Sequence, residues 1–172
     1  MDSHRGGSDH PSIDDQQSIK TFIRTFEENG SFIYAEQIFN NRQRTSPVNG
    51  ILKSEAVYRF LKILEAYGIH YFQDVSKIFG NKDFDAEIQK IPGQKSGISL
   101  VYFYMLAGED NWIKPDRMII RFLEKIVSRP VNLQEAQLLL VEASVLLKEE
   151  YQEMTPRLLD YVVWEYSRAL KE

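Results

Sequence analysis

Apolar residues recur three and four positions apart along most of the chain, and strict alternation is rare, so the pattern predicts helices and no strand. Ile19, Phe22, Ile23 and Phe26 make one stripe, closed by Gly30, and Phe32, Ala35, Ile38 and Phe39 make a second. The stretch 40–50 is polar, with Ser46-Pro47 and Asn49-Gly50 as turn signals. A helix starting near Ser54 carries Val57, Phe60, Leu61 and Leu64 and stops at Gly68; another apolar group, Phe72, Val75, Ile78 and Phe79, ends at Gly80. A short helix is expected from Asp83 to Lys90, and helix resumes through Ile98, Val101, Met105 and Leu106 to Gly108. The next begins around Pro115-Asp116 and carries Met118, Ile119, Phe122 and Ile126 to Arg129-Pro130.

Asn132 with Glu135 resembles a capping box, opening a helix with Leu138, Leu139, Val141, Val145 and Leu146. Thr155-Pro156 reads as a cap with proline at the first helical position, and the last helix is expected to bury Leu158, Leu159, Val162, Val163 and Tyr166. Together these predict an all-α, multi-helix globular domain of about eight or nine helices. It would span residues 15–172, after a flexible polar leader over residues 1–14. Trp112, Trp164 and the Tyr102-Phe103-Tyr104 cluster read as core or core-edge aromatics.

Composition narrows the chemistry. With no cysteine in 172 residues, disulfides, thiol catalysis, cysteine-bound zinc and iron–sulfur clusters are excluded. No apolar run is long enough to span a membrane, and the polar first dozen residues lack the apolar region of a signal peptide, so the expected location is cytoplasmic, with no membrane partner. His4 and His10 lie in the leader and His70 stands alone, which points to no metal. No Walker or dinucleotide glycine motif is present, and no serine has a placeable histidine base. The net charge of −4 argues against strong non-specific nucleic-acid binding by the whole chain. Residues 90–125 nonetheless carry six cations against four anions, a local charge of +2.

The helical pattern is interrupted by Ile91-Pro92-Gly93-Gln94-Lys95-Ser96-Gly97. A glycine-containing turn between two helices gathers several backbone N–H groups, and such a nest, backed by a helix dipole, binds phosphate without side-chain charge. Pro92 stops the preceding helix, Gly93 permits a positive φ or a close approach, and Lys95 adds a charge-assisted contact. An ordinary helix–helix turn would carry the same residues.

The segment resembles the hairpin of the helix-hairpin-helix DNA glycosylases, the superfamily of the endonuclease III and 3-methyladenine glycosylase types, which reads roughly L-P-G-x-G-x-x-[TS]-A. Ile91, Pro92 and Gly93 match its first three positions, and Ser99 stands at the alanine. The family's helix-starting aspartate, D-x-x-[IV], is matched by Asp116-Arg117-Met118-Ile119, with Asp116 lying 23 residues after Gly93. The resemblance covers roughly residues 84–127, with the helix-hairpin-helix at about 84–107. Two departures stand out: Lys95 replaces the second glycine, and Gly97 falls where bifunctional members carry their Schiff-base lysine.

The resemblance implies a DNA-binding protein related to base-excision-repair glycosylases, with double-stranded DNA, damaged or not, as partner. Pro92, Gly93, Gln94, Lys95, Ser96 and Gly97 would be its DNA-binding residues and Asp116 its candidate catalyst, stabilising positive charge on the sugar or activating a water as the base leaves. Without the lysine, β-lyase chemistry is not expected. The expectation is degenerate catalysis. An active monofunctional glycosylase using Asp116 is one alternative, and a non-enzymatic helical scaffold for an unidentified protein partner is another. No cofactor is implied beyond a monovalent cation that the hairpin backbone would hold. Asp116 has a plain structural reading as well, as the N-cap of its helix.

Overall fold

The computed structural model describes residues 11–108 and 110–169. His4, His10 and most of the expected leader lie outside the described residues; Ile13–Asp15 form one 3₁₀ turn. The described chain holds seven α-helices and no strand, only an isolated antiparallel bridge between Arg44 and Leu52. The all-α expectation holds. The contacts divide the chain into two compact units, the first ending at Gly97 and the second starting at Ile98.

In the first unit, α1 (Ile19–Ile33) starts at Ser18, whose Oγ accepts the Thr21 amide at 3.2 Å. Gly30 breaks it at φ 77°, and a π-helical turn follows at Tyr34–Ile38. The break folds Tyr34 back onto Phe26, their rings stacked 3.6 Å apart, with the Tyr34 and Thr25 hydroxyls 2.6 Å from each other. α2 (Lys53–Ala66) packs on α1, and the buried Ser54 hydroxyl donates to the Ser31 carbonyl at 2.7 Å, so the hydroxyl is buried with a partner. The apolar group after Gly68 is a 3₁₀ helix, Phe72–Ile78, ahead of α3 (Lys82–Gln89). His70 is exposed at the start of this segment.

The second unit comprises α4 (Ile98–Leu106), α5 (Arg117–Val127), α6 (Leu133–Leu147) and α7 (Pro156–Ala169). α7 packs on both α5 and α6 around Ile113, Ile119, Leu123, Ala136, Leu140, Leu159 and Val163. Burial of each large aliphatic side chain here contributes about 1.5–3 kcal/mol. Asn132 caps α6 as expected, accepting the Glu135 amide at 2.9 Å, and Thr155 Oγ1 accepts the Leu158 amide at 3.1 Å at the start of α7.

The packing fixes the inward face of both α6 and α7, and for α7 it corrects the expected one. α6 buries Ala136, Leu140 and Ser144, while Leu138, Val145 and Leu146 are 61%, 62% and 70% exposed. α7 buries Leu159, Asp160 and Val163, and leaves Leu158, Val162 and Tyr166 exposed. Both helices carry apolar residues on more than one side, so periodicity cannot choose the face; the neighbouring helix does.

Candidate active site

The expected hairpin residues all lie at the end of the first unit. α3 stops at Gln89, and two consecutive turns follow: Gln94 N–H donates to the Ile91 carbonyl at 2.9 Å and Gly97 N–H to the Gln94 carbonyl at 3.0 Å. Gly93, Lys95 and Ser96 are exposed, and among the described residues no protein group accepts from their amides. Three of the turn's N–H groups therefore have no protein acceptor and two are taken. The carbonyls of Ile91 and Gln94 already accept the turn's own amides, which leaves a monovalent cation fewer lone pairs than an open loop would offer.

Both glycines of the turn have left-handed backbone, φ 86° at Gly93 and 74° at Gly97. A side chain at Gly93 would also run into Thr45, whose Cβ and Oγ1 lie 2.5 Å from where a Cβ would stand. Gly93 is thus required by the chain's own packing. Of the local cations, Lys90 pairs with Glu87, while Lys95 is exposed.

Asp116 lies in the second unit. Its Oδ1 accepts the amides of Met118 at 2.7 Å and Ile119 at 3.1 Å, capping α5. Its side chain is half-buried and lines an open cleft of about 350 Å³. The Trp112 ring packs on Tyr104, centroids 5.8 Å apart. The cleft is lined by Tyr102, Met105 and Leu106 of α4, Lys114 and Asp116 ahead of α5, and Arg157, Asp160, Tyr161 and Trp164 of α7.

Asp160 is the residue that sequence reasoning missed. It is 8% exposed, and its Oδ1 accepts the Lys114 amide at 3.2 Å. Burial lifts its carboxyl from the ordinary 3.8 to about 6; the negative charge of Asp116 adds to the rise, and the Lys114 amide and ammonium oppose it. A signal was present: Asp160 follows Leu159 and precedes Val163 on the core stripe of α7, an unusual place for a carboxylate. Around the pair, Lys114 Nζ sits 4.0 Å from the centroid of the Tyr102 ring, and Arg157 Nη1 lies 3.4 Å from Asp110 Oδ1. The cleft thus joins two carboxylates, two cations and three aromatic rings.

Among the described residues, no group of three or more histidines and carboxylates is placed to hold a metal, and no helix is long and apolar enough to cross a membrane. No curated protein and no solved structure matches the chain. Residues 2–168 match the family described as "Domain of unknown function (DUF8548)", and the chain belongs to that family.

Proposed function

We propose that this chain is a glycosylase-like DNA-binding protein whose second unit receives an unpaired base beside Asp116. The observation that carries the reading is the posture of Asp116: Oδ1 is held by two backbone amides, and the side chain fronts an open, aromatic-walled cleft instead of being sealed in the core. Rigidly held carboxylates of this kind stabilise positive charge that develops on a sugar as its glycosidic bond breaks. In that hydrolysis the C1′–N bond breaks, water adds its oxygen to C1′, and the base leaves with a proton. An everted base would stack against the rings of this cleft. The residue at the lyase position is glycine, which has no amine to form a Schiff base.

The test is binding and base release. A duplex carrying an abasic-site analogue is expected to bind in a salt-dependent way, and release of a damaged base that Asp116→Asn abolishes would identify the active monofunctional alternative. Binding without release would identify the degenerate form of this chemistry. Absence of duplex binding at low ionic strength would overturn the reading. The second reading, a scaffold for a protein partner, is supported by the outward apolar residues Leu138, Val145 and Leu146 of α6.

A further inference from the structure

We infer that the cleft takes a planar heterocycle bearing N–H donors, and that the open oxygen of Asp160 reads those donors. The inference rests on the proposed cleft for its location and goes beyond it in naming what the ligand carries. Asp160 is more than nine-tenths buried, yet only Oδ1 has a protein hydrogen bond, from the Lys114 amide. Oδ2 is not sealed from solvent, since among the described residues the one fully enclosed side-chain polar atom without a partner is Ser167 Oγ. The second oxygen of a carboxylate that lines the cleft and is anchored through its first is an acceptor waiting for a donor. Asp116 repeats the arrangement, with Oδ1 engaged by two amides and no protein donor on Oδ2. Two such acceptors among Tyr102, Tyr161 and Trp164 suit a flat ring whose edge donates. An acceptor-only edge could pair with Lys114 or Arg157 but would leave both carboxylate oxygens without a donor.

The experiment compares guanosine, whose edge donates from N1 and N2, with purine riboside, the same ring system without those donors. Binding to the full chain is measured by calorimetry at about pH 8, above the raised carboxyl value. Guanosine is expected to bind at least about tenfold more tightly, the effect of one hydrogen bond to a charged group. Asp160→Asn can keep the Lys114 bond through its amide oxygen while turning its NH₂ to the cleft, so the preference is expected to vanish or reverse. Equal affinities, no binding of either nucleoside, or an unchanged preference in the variant would each overturn the inference. The wild-type comparison decides by itself if the variant does not fold. Duplex binding is read separately, so loss of one conclusion leaves the other standing.

Discussion

Thr45 and Gly93 interlock: a Cβ added to Gly93 would lie 2.5 Å from both the Cβ and the Oγ1 of Thr45. Thr45 is itself held, its amide donating to the Ile51 carbonyl at 2.9 Å and its Oγ1 accepting from the Ile51 amide at 3.2 Å. The 40–52 loop therefore acts as a rigid stop against the hairpin. Gly93→Ala is expected to lose about 1–3 kcal/mol from overpacking and left-handed strain together. Thr45→Gly in that background should recover only the packing part, because φ 86° at position 93 persists. Urea unfolding of the single and double variants checks this. Full recovery by Thr45→Gly would show that backbone strain contributes nothing.

Because Gly93 is tied to the fold, charge at the hairpin is better probed at Lys95, which is exposed. Lys95→Glu is expected to weaken duplex binding while leaving stability within about 0.5 kcal/mol. It should also lower the slope of log affinity against log salt by about one. An unchanged salt slope would remove Lys95 from the interface.

At Asp116, capping and chemistry separate by substitution. Asn caps as well as Asp does, so Asp116→Asn should unfold within about 0.5 kcal/mol of the parent while removing the carboxylate from the cleft. Asp116→Ala should lose about 1 kcal/mol through the freed Met118 and Ile119 amides. If both variants are equally unstable, the α5 cap does not depend on this side chain's hydrogen bonds.

Asp160 makes stability depend on pH in an unusual direction. Its folded value, about 6, lies above the ordinary 3.8, so the folded state holds the proton more tightly than the unfolded chain does. The resulting stabilisation is complete below about pH 3.8 and is lost as pH rises through about 6, on the order of 3 kcal/mol in all. Denaturant unfolding across this window should show the decline in the parent and a flatter profile in Asp160→Asn. Parallel profiles would show that another group sets the trend.

Asp74 has the opposite sign. The Lys77 ammonium at 2.6 Å, then the His70 and Tyr71 amides at 2.9 and 3.0 Å, hold its carboxyl down at about 2. Stability from this site is present above the ordinary value of 3.8 and lost as pH falls through about 2. Asp74→Ala should cost about 1 kcal/mol near neutral pH, and the difference from the parent should shrink in strong acid. A gap that stays constant with pH would mean the carboxylate's charge is irrelevant.

Local chemistry made the helices legible in advance. Apolar spacing placed α2, α4 and α5 close to where they lie, and Asp116 and Asn132 announced themselves as caps because capping is settled within three residues of chain. Left-handed glycines at 30, 68, 80 and 108 mark the expected stops for the same local reason. Three things depended on the fold: which side of α6 and α7 turned inward, the burial of Asp160 beside Lys114, and the contact of Thr45 with Gly93. Each joins residues far apart in the chain or chooses between equally apolar faces. Hydrogen bonding and helical period act over about four residues, so such choices are made only when whole elements pack against one another.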